Sequence, residues 1–288
     1  MTMGFFKSIA VTSFLLAINF TGDWNDAKAF GWFKVPSKNK AMLELGTVEN
    51  KENALNPNEI DLLVWNTYKG QNPSWTQDFS FLVLDKEIVV LQEAILNDIM
   101  KPVFENQSEF HYKIATSFIY TKTNIPTGTA TGSVVYPTNF YFKKTRDVEA
   151  VGFTPKVTLF TEYALKGRSD KLLVINIHAL NSVPAFILKR HINDAKVEIE
   201  KHKGPVVFAG DFNTWSWLKL RVMRKTLEKL GMTEVQFPNG GERMRSSISN
   251  NIIDYIWVKG IDYSDSWVWG NLEGADHKAL TVRLKIKS

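Results

Sequence analysis

The chain reads as an α+β protein with two stacked β-sheets and helices on the outside. Three observations predict this. Short β-rich runs recur from Ile60 onward, with no linker, repeat or low-complexity tract to divide them. Two runs, Ile88-Val89-Val90-Leu91 and Val206-Val207-Phe208-Ala209, are continuously apolar, as strands covered on both faces are. Two further segments carry apolar residues at helical spacing. With 44% hydrophobic residues in 288, the chain can bury a substantial core without outside help.

Residues 1–29 read as a secretory signal peptide. Lys7 gives a positive start, Ile9–Phe20 is an apolar run too short to span a bilayer comfortably, and Ala27-Lys28-Ala29 is a small-x-small cleavage pattern before Phe30. Cleavage after Ala29 predicts a secreted or periplasmic protein, soluble and with no stable membrane insertion of the mature chain. Residues 30–59 show no sustained periodicity and form a lead-in, and 60–288 form the domain. Its expected strands are Asp61–Tyr68, Ile88–Ala94, His111–Tyr120, Ala130–Tyr136, Val157–Ala164, Leu172–Leu180, Val206–Gly210, Ile252–Val258 and Leu280–Ile286. Leu188, Ile192, Ala195 and Ile199 share one face of a helix over Pro184–His202. A second helix over Trp217–Leu230 is ended by Gly231.

Cysteine is absent, so disulfides and thiolate catalysis are excluded, and a metal must be held by oxygen and nitrogen. Such ligands favour Mg2+, Mn2+ or Ca2+. The net charge of +5 and pI near 9.1 fit a polyanionic partner or an anionic membrane surface.

Polar groups recur where the apolar runs end. Val64-Trp65-Asn66 ends in an amide and Val90-Leu91-Gln92-Glu93 in a carboxylate. Ile175-Asn176-Ile177-His178 carries an imidazole, with Asn181 three residues on. Gly210-Asp211-Phe212-Asn213-Thr214 follows a buried strand and sets a carboxylate and an amide two residues apart. Asp254 stands among Ile253, Tyr255 and Ile256, where a buried carboxylate needs a partner. Asp276-His277 pairs an acid with a base before the last strand. Each has a bland structural explanation, but together they supply what metal-assisted phosphodiester hydrolysis needs. Carboxylates hold a hard cation, an acid-oriented histidine takes a proton from water, and further donors meet the phosphate oxygens.

The order Trp-Asn, Gln-Glu, Asn-x-His-x-x-Asn, Gly-Asp-Phe-Asn, Ile-Asp-Tyr-Ile and Asp-His resembles the endonuclease/exonuclease/phosphatase superfamily from about Asp61 to Lys287. That group includes pancreatic-type deoxyribonucleases, abasic-site endonucleases, inositol-polyphosphate phosphatases and bacterial sphingomyelinases. Gly-Asp-Phe-Asn-Thr-Trp-Ser, with Thr-Gly-Thr-Ala-Thr-Gly-Ser upstream, looks most like a bacterial branch of it. The resemblance implies a four-layer αββα sandwich of two stacked mixed β-sheets flanked by helices, with the site at one rim. It implies Glu93 as principal metal ligand with Asn66 and Asp276 beside it, and His277 as general base oriented by Asp254. Asp211 would position the nucleophile or protonate the leaving group, while Asn213, His178 and Asn181 would contact the phosphate. Two departures stand out. Ser133-Val134-Val135-Tyr136-Pro137 lacks the cation that often follows this strand, and no acidic partner for His178 can be placed.

Nucleic acid is the first expected substrate, with Lys143, Lys144, Arg146, Arg243 and Arg245 as candidate phosphate contacts. A sphingomyelinase-like lipid phosphodiesterase or a small-molecule phosphatase is the alternative. Trp267-Val268-Trp269 lies where secreted lipid-cleaving members carry a membrane-entering hairpin. Too few residues separate Val258 from Asp276 for a strand and such an insertion, and the two tryptophans alternate as in a half-buried strand. A silent binding module is the third class. It would be expected to have lost one of Glu93, Asp211, Asp254 or His277, and all four are present. A monomer is expected.

Overall fold

The computed structural model describes residues 31–48, 53–107, 109–149 and 153–288. The expected signal peptide lies outside them. The described strands are β1 (Phe33–Lys34), β2 (Met42–Leu45), β3 (Ile60–Asn66), β4 (Ile88–Ile95), β5 (His111–Tyr120), β6 (Pro126–Ser133), β7 (Asn139–Lys144), β8 (Val157–Ala164), β9 (Lys171–His178), β10 (Val206–Asp211), β11 (Thr233–Glu234), β12 (Asp254–Lys259), β13 (Ile261–Trp269) and β14 (Ala279–Ile286). The α-helices are α1 (Trp75–Leu82), α2 (Met100–Asn106), α3 (Ala185–Lys201) and α4 (Trp217–Lys229).

An eight-stranded sheet runs β1-β5-β6-β4-β3-β14-β13, with β2 also on β5, and a six-stranded sheet runs β11-β12-β10-β9-β8-β7. Both are mixed. β3 and β4 pair in parallel in the first, β9 and β10 in the second, and their other pairings are antiparallel. Alternation along each strand explains the layering. Leu62 and Val64 of β3 face the core between the sheets, where they join Val174, Val207, Ala209 and Ile256. Leu63 and Trp65, on the other face, pack with Trp75 and Phe79 of α1 and Phe104 of α2. On the far side, Ile175, Phe208 and Trp257 pack under Leu188, Ile192 and Ile199 of α3 and Met223 and Leu227 of α4. Strands buried on both faces are therefore apolar throughout. The arrangement is the expected αββα sandwich.

The two long helices fall where the spacing puts them. Ser216 Oγ accepts from Lys219 N to start α4, and Gly231, at φ 73°, follows its end. The two short helices, α1 and α2, were not anticipated, because a helix of two turns carries too little periodicity. The lead-in contributes β1 and β2, which pair with β5 in spite of their weak pattern. The sixth strand lies at Pro126–Ser133 rather than Ala130–Tyr136, since its glycines and threonines, not its valines, make the ladder. β7 was missed as a strand, and of β13 only the Trp267–Trp269 end was read as one.

Trp267 and Trp269 lie on β13, an edge strand paired with β14 and bulged between Ser264 and Trp267. Trp269 donates to Thr281 Oγ1 at 3.0 Å and meets Phe81 edge-on, so it belongs to an ordinary half-buried strand. Among the described residues no helix is long and apolar enough to cross a membrane.

Candidate active site

The site lies at the rim where β3, β4, β9 and β10 end and β12 begins. On β4 the ladder to β6 slips between Leu91 and Ala94, and Glu93 takes a positive φ of 56°. This bulge turns Gln92 toward the other sheet and leaves Glu93 in the cleft. Gln92 Nε2 donates to Asn176 Oδ1 at 2.8 Å, and Asn176 Nδ2 donates to the carbonyls of Leu91 at 3.0 Å and Ala130 at 2.9 Å. Both side chains are fully buried, so these bonds staple the sheets together directly beneath the site. Gly210, at φ 132°, permits the approach. A Cβ there would collide with the Ile177 carbonyl oxygen and crowd the Gln92 amide nitrogen.

β10 ends at Asp211, which lies opposite Asp254 on one side and His178 on the other. Asp211 Oδ1 accepts from Asn213 N at 2.8 Å, and its Oδ2 accepts from Asn213 Nδ2 and from Asn66 Nδ2, each at 3.2 Å. Asn213 Nδ2 also donates to the Ala179 carbonyl. Asn213 adopts φ 48°, a left-handed turn that asparagine tolerates. Asp254 is the first residue of β12 rather than an interior one. Its Oδ2 lies 2.7 Å from His277 Nδ1, while its Oδ1 is buried with no partner among the described residues. His277 is held from behind, since its carbonyl accepts from Trp65 Nε1 and its N–H donates to Asp276 Oδ1. Asp78 accepts from Glu273 N and Gly274 N, fixing the loop that carries the pair.

The electrostatics follow from crowding carboxylates in a buried place. Burial, then the neighbouring Asp254, holds the Asp211 carboxyl well above the usual carboxylate range. Burial also raises Asp276, with Glu93 adding to it. His277 goes the other way. Burial pulls it down, but Asp254, bonded at Nδ1, outweighs that and raises it to about 10. His178 is pushed far down by burial, then by the charge of Lys156, so it is neutral. Its Nε2 lies 3.6 Å from Asp211 Oδ2 and 4.0 Å from Glu93 Oε1, which places the acids near His178 that sequence reading could not.

Asn66, Glu93, His178, Asn181, Asp211, Asn213, Asp276 and His277 all line one cleft of about 610 Å³, with Asp254 behind His277. Asn181 is the least engaged. It is exposed, and its Oδ1 accepts from Ser182 N. The candidate phosphate contacts on the basic side fare differently. Lys143 is bound to Glu198, Arg243 to Glu234, Lys144 to the Pro36 carbonyl and Arg245 to the Asn250 carbonyl, and none of them, nor Arg146, lines the cleft. Among the described residues, the lysines that line the cleft are Lys69 and Lys156, from the turns after β3 and before β8. Sequence reading missed both, as it did the Gln92–Asn176 staple. The one available signal was a glutamine inside an apolar strand, which needs a buried partner.

A divalent cation fits this donor set. Asp211, Asp254 and His277 offer atoms within 4.8 Å of one another. However, Asp254 Oδ2 and His277 Nδ1 are already bonded to each other, and Asp211 already accepts hydrogen bonds at both oxygens. Glu93 and Asp276, whose charges disfavour each other and which lie nearer solvent, are the better pair for a cation, with Asn66 beside them.

The model of the endonuclease/exonuclease/phosphatase family matches residues 63–277. The chain belongs to that family, a group made up in general of phosphoester hydrolases. It is similar to a UPF0294 protein of Photorhabdus laumondii, 29% identical over 227 residues that cover 78% of this chain and 83% of the relative. A UPF0294 protein of Vibrio parahaemolyticus is 26% identical over 233 residues, covering 78% and 77%. Among solved structures, an endonuclease/exonuclease/phosphatase from Beutenbergia cavernae has the same fold, with a TM-score of 0.64 at 13% identity over 80% of this chain and 72% of the other. The human Nocturnin catalytic domain with bound sulfate gives a TM-score of 0.54 at 14% identity, over 81% and 96%.

Proposed function

We propose that this protein is a divalent-metal-dependent phosphodiesterase with nucleic acid as its first substrate class. The observation that carries the reading is the His277–Asp254 pair at 2.7 Å, set beside Asp211 in the cleft that also holds Glu93 and Asp276. Asp254 fixes the imidazole through Nδ1 and leaves Nε2 to take a proton from the attacking water. Asp211, whose proton affinity is raised, protonates the leaving oxygen, and the bond from Asn66 keeps that carboxyl in place. Asn213 and neutral His178 donate to the phosphate oxygens as negative charge grows there. Glu93, Asn66 and Asp276 would hold Mg2+, Mn2+ or Ca2+, which polarises the phosphate and lowers the proton affinity of the histidine beside it.

Trp215, half-buried in the cleft, supplies a ring for a base to stack on. One observation favours phospholipid as the second reading. Trp32 and Ile248, both on the cleft's lining, are each 78% exposed, and apolar groups at a cleft mouth suit a lipid surface. Export through a leader ending at Ala29 belongs to the same proposal. A mature chain beginning at Phe30, read by N-terminal sequencing, checks it.

The deciding experiment incubates the protein with plasmid DNA, RNA and sphingomyelin vesicles in Mg2+, Mn2+ or EDTA, with Asp211→Ala as control. Metal-dependent cleavage of nucleic acid, absent in the variant, is the expected result. Cleavage of vesicles alone would move the substrate to phospholipid, and no cleavage of any of the three would overturn the phosphodiesterase reading.

A further inference from the structure

The proton chemistry and the metal ligands leave Lys69 and Lys156 unexplained. Lys69 stands in a turn where Tyr68, Lys69 and Gly70 have φ of 49°, 55° and 60°. For a residue with a Cβ, that conformation costs about 1 kcal/mol or more, and such strain collects at functional sites. The turn is firmly held all the same. Gly70 N donates to the Thr67 carbonyl, and Thr67 N and Oγ1 both donate to the carbonyl of Gln92, the residue before Glu93. The outcome is a lysine whose Nζ lies 3.1 Å from Glu93 Oε2. Lys156 Nζ lies 3.4 Å from Glu149 Oε1 and is almost wholly buried. Burying an ammonium against one carboxylate is repaid only where further acceptors take its remaining protons, and a substrate phosphate would supply them. Lys69 and His178 flank the two oxygens of Glu93, with His178 Nε2 4.0 Å from Oε1, and Glu149 Oε1 also accepts from Asn181 N, so both lysines and His178 line one cleft.

We propose that Lys69, Lys156 and His178 form an anion subsite for the non-bridging oxygens of a substrate phosphate, and that Lys69 exchanges Glu93 for that phosphate when a divalent cation takes Glu93. This rests on the phosphodiesterase reading and supplies the positive charge that Ser133–Pro137 lacks. In the metal-free protein Lys69 neutralises Glu93. Once a cation does so, the ammonium is left beside the phosphate, and metal and anion bind cooperatively. Lysine suits the exchange because it acts as a point charge on a flexible stem.

The test is calorimetric titration with inorganic phosphate, with and without saturating Mg2+. It compares the wild type with Lys69→Met, Lys69→Arg and Lys156→Met, while Mn2+ binding is followed separately by electron paramagnetic resonance. Wild type should bind phosphate more tightly with Mg2+ present. Lys69→Met should lower that affinity tenfold or more, abolish the Mg2+ effect and leave Mn2+ affinity unchanged or tighter. Lys69→Arg should retain most of the wild-type behaviour. Lys156→Met should weaken phosphate binding with or without metal. If it fails to fold, Lys156→Met with Glu149→Gln removes the pair of charges together and should show the same loss. Phosphate affinity within twofold of wild type in folded Lys69 and Lys156 variants would overturn the subsite. Loss of Mn2+ affinity in Lys69→Met would overturn the exchange. Failure here, with wild-type phosphodiesterase activity intact, would leave the functional reading standing. Phosphate binding through the lysines without hydrolysis of any diester would do the reverse.

Discussion

The two sheets bring their side chains to the cleft in different ways. From the six-stranded sheet, His178, Asp211, Asn213 and Asp254 sit at the ends of regular strands or just beyond, nearly all buried and tied to one another. From the eight-stranded sheet, Glu93 rides on a bulge, Lys69 on a left-handed turn and Asp276 on a loop, all nearer to solvent. The first wall has one carboxyl, Asp211, with raised proton affinity in fixed geometry, as proton transfer requires. The second has an ion pair that can part, as an exchangeable cation requires. On the proposed function, the site divides into a rigid half that handles protons and an adaptable half that handles ions, joined by the Gln92–Asn176 staple.

The comparison can be broken most sharply at His277, which the loop before β14 brings onto Asp254 of the rigid wall. His277→Ala should lower kcat about a hundredfold to ten-thousandfold, the range general acid–base catalysis contributes. Its thermal midpoint should stay close to wild type, and a folded variant with near-normal turnover would sink the assignment. Next in size is the staple. Asn176→Leu leaves Gln92 Nε2 and two carbonyls without a partner, which should destabilise the fold by about 2–4 kcal/mol in urea denaturation. It should also weaken Mn2+ binding, because Gln92 adjoins Glu93, and unchanged stability would show that the sheets do not need the staple.

The third effect lies behind the rigid wall. His191 bonds Thr158 Oγ1 at 2.8 Å, and burial, helped by Lys219, lowers its pKa to about 3. The unfolded chain binds a proton near pH 6.5 that the folded chain refuses until about pH 3. Its contribution to stability is therefore complete above pH 6.5 and is lost as the pH falls from there toward 3. The slope within that window is about 1.4 kcal/mol per pH unit for this one group. His191→Asn should remove that increment from the measured pH dependence, and an unaltered slope would show that His191 does not titrate as described. The smallest effect is expected at the β13 edge. Trp267→Ser should change stability by less than about 0.5 kcal/mol and leave binding to lipid vesicles as it was. A clear loss of vesicle binding would make the edge strand part of a lipid surface.

Much of the molecule was legible in the chain because the signals were local. Continuous apolar runs marked β4 and β10, helical spacing marked α3 and α4, and polar residues near strand ends marked Asn66, Glu93, His178, Asp211, Asn213, Asp254, Asp276 and His277, all now found in or behind the cleft. The parts that escaped depend on distant partners. β1 and β2 are strands because β5 offers them an edge, and β6 alternates its threonines with glycines and an alanine, which carry little strand preference. Lys69 looks like any surface lysine until the turn at Tyr68–Gly70 aims it at Glu93. Lys143 and Arg243 looked available for phosphate until α3 and β11 brought Glu198 and Glu234 to them.

The division between the walls is tested most directly by titrating Mn2+ into Glu93→Gln and Asp254→Asn and following free Mn2+ by electron paramagnetic resonance. The account predicts that Glu93→Gln loses about tenfold or more in Mn2+ affinity, while Asp254→Asn binds Mn2+ nearly as wild type does and fails in turnover alone. Full Mn2+ affinity in Glu93→Gln, with loss in Asp254→Asn, would place the cation among Asp211, Asp254 and His277 and contradict the account.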